Sequence, residues 1–440
     1  MPDLLKLATI DITPLRHRDF KLLFWGQLIS FLGSMLTYVA VPYQVYQLTH
    51  SPLMVGLLGL AQLGPILAFS MVGGAIADAS DRRSTVLATE VAFAVLSALL
   101  YVNAILPEPR LWIIFVLAAV QAGLFALQRP SLDALMPRLV EKSDLTAAGA
   151  LTATRGTIGQ LLGPAIGGVL IVTVGLPATY ALDAVSFAAS LVALALMRAS
   201  PPILGGERPS LQGILDGWNF ARSRSELIGT YVVDIVAMVF GMPEALFPAI
   251  AETLGGPAIL GLLYSAPALG ALIAAGTSGW TNHIQRQGLA VILAATAWGV
   301  AIIGFGLATT ALVALPMLAI AGGADAISGI FRMSIWNRTV PDELRGRLAS
   351  IEMVSYTSGP ALGDAESGLV AGLFSVPASV ISGGVLCVLG CIVCAALLPG
   401  FRKYEVANES RSRESRSLES VECLVRDSSS QPRAIPDSDS

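Results

Sequence analysis

The chain has 440 residues, of which 54% are hydrophobic and only 13% charged, with a mean hydropathy of +0.70. Globular domains carry about twice that charged fraction, so the composition excludes a soluble protein and points to an integral one embedded in a lipid bilayer. A net charge of −4, with arginines scattered over loops instead of gathered in a basic stripe, excludes a nucleic-acid partner.

The first segment, 1–21, mixes Lys6, Asp11, Arg16, Arg18 and Asp19 and reads as a cytoplasmic surface piece. The apolar run after it is too long for a cleaved signal. Apolar runs of about 20 residues, enough to cross a bilayer, then recur at Leu22–Tyr46, Leu53–Ala77, Thr85–Leu106, Leu111–Gln128, Thr146–Thr173 and Pro177–Met197. A polar stretch with Pro201-Pro202 and Gly205-Gly206 interrupts the pattern. Six more runs follow at Leu227–Ile250, Ala258–Trp280, Leu289–Ala308, Ala311–Ile330, Leu348–Phe374 and Pro377–Leu398. From Phe401 onward the serine- and arginine-rich tail lacks the apolar content to fold. The expected architecture is all-α with twelve transmembrane helices in two bundles of six. Its parts are a cytoplasmic segment (1–21), a first bundle (22–198), a cytoplasmic linker (199–226), a second bundle (227–400) and a disordered cytoplasmic tail (401–440).

Orientation follows from the basic residues. With a cytoplasmic N-terminus, every Lys and Arg except Arg110 and Arg155 falls in the tails, the cytoplasmic loops or the cytoplasmic ends of spans. The loops around His50, Leu176, Glu252, Thr310 and Val376 carry none. This positive-inside pattern puts both termini in the cytoplasm. The halves also echo each other: Met136-Pro137 and the polar stretch after it recur at Val340-Pro341, and Gly163-Pro164 recurs at Gly359-Pro360. Two parallel six-helix halves with a cleft between them form a transporter architecture, with the substrate near the midplane.

Between the second and third spans lies a polar loop with Gly74, Asp78, Arg82 and Arg83. Its glycines permit close backbone approach, and its charges can bond to one another or to a helix end of suitable dipole. It is read either as a conformational latch or as a solvated turn that only fixes topology. In the fifth span Gly159, Gly163, Pro164, Gly167 and Gly168 make a flat face for close helix packing, with a kink point at the proline.

Ionisable groups within spans are functional candidates. Asp234, Asp325, Glu352 and Glu366 are the candidates for carrying protons, because a carboxyl desolvated in a membrane can hold and release a proton during a cycle. For each, static pairing with Arg155, Arg332 or a backbone group is the competing reading. Glu352, Tyr356, Gly359, Gly363 and Glu366 share one face of the eleventh span, expected to line the cleft. Asp325 and Arg332 lie two turns apart, roughly 10 Å along a helix, so each is expected to find its partner on another helix. Arg155, Arg332, Gln121 and Tyr356 are the candidate substrate contacts, Arg155 for an anionic group. Gln27, Tyr38, Tyr43, Gln44, Tyr46, Phe125 and Gln128 are further candidates for lining a pocket. Glu90 and Asp183, nearer their helix ends, are read as structural.

No Ser/His, HExxH or nucleotide-binding constellation is present, so no enzyme activity and no cofactor is expected. Cys387, Cys391 and Cys394 lie along one apolar helix, far in sequence from His17, His50 and His283, and are read as packing residues with no metal site. The expected partners are a small-molecule substrate, protons and the bilayer, with the protein acting as a monomer. A receptor signalling through the serine-rich tail is the reading from another class.

These motifs resemble the major facilitator superfamily. Gly74 and Asp78 with Arg82-Arg83 look like the superfamily's loop between its second and third helices, although Ala79 and Asp81 stand where a basic residue and a glycine are usual. The run from Gly159 to Gly168 looks like the motif of its antiporters. No arginine precedes Gln121 and Gly123, where many of the superfamily's proton-coupled drug antiporters have one. The stretch Val39 to Ser51 running on to Val55-Gly56, with Leu106-Pro107-Glu108-Pro109, Gly149 to Thr152 with Arg155, Ser278-Gly279 and Gly363-Asp364-Ala365, resembles the enterobactin exporter branch. That resemblance implies proton-driven export of a catecholate siderophore or similar amphiphile. A broad-specificity drug or macrolide efflux pump is the alternative it leaves open.

Overall fold

The computed structural model describes residues 11–198, 218–341 and 344–406, with the backbone alone at 71–79, 346–347, 349–351 and 353–356. Most of the expected linker and most of the expected disordered tail lie outside the described residues. The first six spans are α1 Arg18–Thr49, α2 Pro52–Ala79, α3 Arg82–Ala104, α4 Leu111–Leu135, α5 Leu145–Thr173 and α6 Leu176–Leu196. The second six begin with α7 Ser225–Gly241, continued by α8 Phe247–Leu254. Then follow α9 Pro257–Gly276, α10 Gln287–Gly306, α11 Ala311–Thr339, α12 Arg345–Leu373 and α13 Val376–Leu397, and a short α14 Pro399–Arg402 closes the chain. Eleven helical stretches of the described residues are long and apolar enough to span a membrane. The remaining span, eleventh in chain order, is α12, 29 residues long and more polar in composition.

Local chemistry places the ends of these helices. Asp81 caps α3, its carboxylate accepting from Ser84 N at 3.2 Å, and Ser375 caps α13 through Ala378 N at 3.2 Å. Gly175 (φ 86°) turns the chain into α6, and Gly255 and Gly256 (φ 135° and 86°) turn it into α9, conformations that penalise a side chain. Prolines inside α1, α2, α4, α5, α9, α11 and α12 leave those helices continuous, as neighbouring helices in a membrane bundle allow.

Packing within the halves repeats. In the first, α1 packs on α6, α2 on α4 and α3 on α6; in the second, the equivalent pairs α7 with α13, α9 with α11 and α10 with α13 are in contact. The two most extensive contacts between the halves are α2 with α12 and α5 with α9. Both junctions are glycine-mediated. Gly59 lies against Ala361 and Asp364, Gly368 against Pro52 and Leu53, and Gly168 against Gly261. All of these sit toward the end of the molecule marked by His50, Gly175 and Gly255. Toward the other end, near Asp11 and Val406, Gly64, Gly149, Gly156 and Gly276 face open space.

The terminal segments tie down that second end. His17 Nε2 and Asp144 Oδ2 are 2.9 Å apart, linking the start of α1 to the start of α5. Phe401 is fully buried against Gly229 of α7 and Gly288 of α10, and Arg286 pairs with Glu405 at 2.7 Å. Ordered structure therefore runs past residue 400, where the sequence placed the start of the tail. One aromatic side chain filling a cleft between two glycines supplies the anchor that composition alone does not reveal.

Candidate functional site

The seventh span breaks near its far end, and the break organises one polar cluster. Pro243 cannot continue α7, so the chain leaves the helix at Met242, makes a 3₁₀ turn at Glu244–Leu246 and resumes as α8. Backbone groups freed at membrane depth must find partners. Trp298 Nε1 of α10 donates to Gly241 O at 2.9 Å, Asp364 Oδ1 of α12 accepts from Ala245 N at 2.9 Å, and Tyr264 of α9 reaches Glu244 O at 3.4 Å. Tyr38 of α1, from the opposite half, donates to Glu244 Oε2 at 2.5 Å and packs edge-on against Tyr264. The sequence singled out Asp364 and Tyr38 separately; nothing in their spacing tells that the break in the seventh span brings them together.

A second cluster lies at the terminal end of the second half. Arg332 of α11 forms ion pairs with Asp234 of α7 and with Asp325 on its own helix, the latter at 3.3 Å. Arg332 thus has the partner on another helix that its position called for, and its long arm also folds back to Asp325, which pairs on its own helix instead of with a neighbour. Asp234 is 8% exposed, whereas the Asp325 side chain is 41% exposed. Glu352 of α12 lies within electrostatic range of Arg332. Of the four proposed carboxyls, three thus gather around one arginine. Glu366 stands apart, half-buried on α12.

The glycine face of the eleventh span does not look into a cleft as expected. Gly359 and Gly363 press onto Met238 and Val239 of α7, because two helices approach most closely where side chains are absent. The side chain of Tyr356 lies outside the described residues.

In the first half, Arg155 of α5 borders a cavity of about 150 Å³ shared with Leu23 and Phe24 of α1, Asp133 of α4 and Met136 just beyond it. Its Nε is buried and has no hydrogen-bond partner among the described residues. Gln121 is half-buried and Phe125 half-exposed on α4. Three amides expected to line a pocket are instead used inside the bundle. Gln27 and Gln128 both donate to Glu90 Oε1, at 2.8 and 2.9 Å, and Gln44 accepts from Tyr180 at 2.8 Å. Asp183 Oδ2 accepts from Thr37 and Ser97 at 2.5 and 2.7 Å. Glu90 and Asp183 are buried in the bundle interior instead of lying toward helix ends, and with no cation paired to them they draw in neutral donors.

At the loop between the second and third spans, α2 continues through Ala79, so the turn shortens to Ser80 and Asp81. Gly74 and Asp78 lie in the last turns of α2, and their side chains lie outside the described residues. Arg83 donates to Leu194 O at 2.5 Å and to Ala195 O at 2.9 Å, and Arg82 to Ala134 O at 3.3 Å. The arginines thus cap the carbonyl ends of α6 and α4, where the helix dipole favours a cation. The motif in α5 serves two neighbours: Gly159, Gly163 and Gly167 meet Phe31, Met35 and Leu36 of α1, while Gly168 meets α9 and Pro164 O lies against Gly261. Cys387, Cys391 and Cys394 are buried on α13.

The sequence profile that describes transmembrane secretion effectors matches residues 9–426. The chain belongs to this family of the major facilitator superfamily. Among curated relatives of the family, the enterobactin exporter EntS of Shigella boydii serotype 18 is 30% identical over 384 residues, covering 87% of this chain and 92% of its own. EntS of Escherichia coli O1:K1 matches to the same extent. Solved structures agree on the fold: the nucleoside transporter NupG superposes with a TM-score of 0.71 at 12% identity, covering 85% of this chain and 99% of its own. A bacterial homologue of the iron transporter ferroportin, in an inward-facing state, superposes at 0.64 with 16% identity, covering 88% and 98%. The protein is therefore a multi-pass membrane transporter of the major facilitator type.

Proposed function

We propose that this transporter is a proton-coupled exporter that moves a catecholate siderophore, or a similar small amphiphile, out across the cytoplasmic membrane by alternating access. The observation that carries the reading is 30% identity to an enterobactin exporter over nearly the full length of both chains. With both termini in the cytoplasm, the end at which α2 meets α12 and α5 meets α9 is the outer end. The structure then corresponds to an outward-closed state from which substrate enters at the cytoplasmic side.

In this reading Arg155, beside its cavity and with no partner for its Nε among the described residues, holds an anionic group of the substrate. Asp234, Asp325 and Glu352 around Arg332 couple proton movement to the second bundle, with Glu366, Gln121 and Tyr356 as secondary contacts. The loop with Gly74, Asp78, Arg82 and Arg83 stiffens the cytoplasmic end of the first bundle.

The test is uptake of enterobactin into inverted membrane vesicles holding the protein. Accumulation is expected to collapse with a proton uncoupler. Arg155→Ala is expected to raise KM about tenfold or more, the loss of one charge-assisted hydrogen bond. Glu352→Gln is expected to lose the uncoupler-sensitive part; full activity in that variant removes Glu352 from coupling. If enterobactin does not accumulate under a proton gradient in the wild type, the siderophore reading fails.

A further inference from the structure

The acids around Arg332 have a cation. Glu244 and Asp364 do not: among the described residues neither takes part in an ion pair. They nevertheless meet at one turn, since Asp364 holds the amide of Ala245, the residue next to Glu244. Among the described residues, the groups in contact with them are neutral or acidic. Tyr38 comes from α1, Tyr264 from α9 and Phe247 from α8, while α2 presents the bare backbone of Gly56 and Gly59.

The cluster also sits on the seam between the halves. Tyr38 belongs to the first half and Glu244 to the second, so their 2.5 Å hydrogen bond spans the outer closure. Gly59 leaves room for Asp364, whose carboxylate a side chain at that position would crowd, at the α2–α12 contact that closes the same end. Asp364 therefore touches both the broken seventh span and the opposite half.

We propose that Glu244 and Asp364 form a proton-binding site at the outer seam, and that a proton held between them keeps the outer end closed. Two carboxylates at one site with no counter-cation cannot both carry charge cheaply. With a proton bound, one carboxyl is neutral, Asp364 keeps its bond to Ala245, Glu244 keeps its bond to Tyr38, and α2 stays against α12. When the proton leaves to water in the cleft, two anions face each other and the turn at Glu244–Leu246 is pushed from α12. Tyr38 is 44% exposed beside the pair, which gives that water a route. When the outer end next opens, water there returns a proton and closure follows. Inward proton movement is then linked to outward opening, the direction an exporter needs; this part of the proposal rests on the proton-coupled reading above.

The test measures the outer distance directly and needs no substrate. Spin labels are attached to Glu108→Cys in the α3–α4 connection and Thr310→Cys in the α10–α11 connection, both exposed sites in opposite halves. The full chain carries Cys423→Ser, and its other cysteines are buried. Distance distributions by pulsed electron resonance are recorded in nanodiscs across pH. In the wild-type background the long-distance population is expected to grow with rising pH, by up to about tenfold per unit while one proton is released. Glu244→Gln with Asp364→Asn is expected to stay closed throughout. Tyr38→Phe, which keeps both carboxyls but loses the bond across the seam, is expected to open at lower pH, and Glu141→Gln, at an exposed acid in the α4–α5 connection, to behave as wild type. Equal pH response in the double variant, or no response in the wild type, overturns the proposal. If the labels respond as described but vesicles accumulate no enterobactin, the proton site stands and the siderophore reading falls.

Discussion

The two bundles repeat one helix arrangement yet treat buried acids in opposite ways. In the first, Glu90 and Asp183 each gather two neutral donors on one carboxylate oxygen, Gln27 and Gln128 for one and Thr37 and Ser97 for the other, while the second oxygen of each is buried without a partner among the described residues. These bonds bolt α1, α3, α4 and α6 to one another. In the second, Asp234 and Asp325 are held by the single guanidinium of Arg332, while Glu244 and Asp364 are left to each other and to tyrosines. Neutral donors supply many moderate bonds that resist rearrangement. A shared cation, or a shared proton, concentrates the interaction in one group whose loss changes everything around it. The first half thus spreads its buried polar contacts over several side chains, and the second concentrates them in few.

The sharpest way to break that contrast is Arg332→Met. It strands Asp234 in a buried site, and removing one partner of a buried pair costs about 3–5 kcal/mol, to be read from the unfolding midpoint in detergent. Adding Asp234→Asn to Arg332→Met is expected to recover most of that loss, since the unpaired charge disappears with it; no recovery would mean that the pair is not the unit. Asp183→Ala is expected to cost less, about 2–3 kcal/mol, from two hydroxyls left without an acceptor. The smallest effect belongs to Glu90→Gln, within about 1 kcal/mol. Its amide oxygen still accepts from Gln27 and Gln128, and transport is expected to survive. Loss of transport in Glu90→Gln with stability unchanged would move a working carboxyl into the first half and erase the contrast.

Much of the molecule was legible before its fold. Twelve spans follow from apolar run length and an internal repeat from the recurrence of Met136-Pro137 at Val340-Pro341, because a bilayer sorts residues by local composition. The glycines of α5 were readable as a packing face for the same reason: absent side chains announce close approach whatever the partner. What that face packs against was not readable, and it proved to be two helices from different halves.

Which polar groups meet was decided only in three dimensions. Gln27, Gln44 and Gln128 looked like pocket residues because amides in a membrane need partners, yet the partners lie in the bundle interior. Gly359 and Gly363 looked like part of a cleft and turned out to be the contact with α7. Asp325 and Arg332 looked too far apart until the arm of the arginine was seen folded back. Sequence determined that the chain crosses the membrane twelve times and which residues carry charge within it, since both depend on neighbours along the chain. Tertiary structure alone decided the pairing of those charges, since a helix's rotation about its axis is set by packing against helices hundreds of residues away.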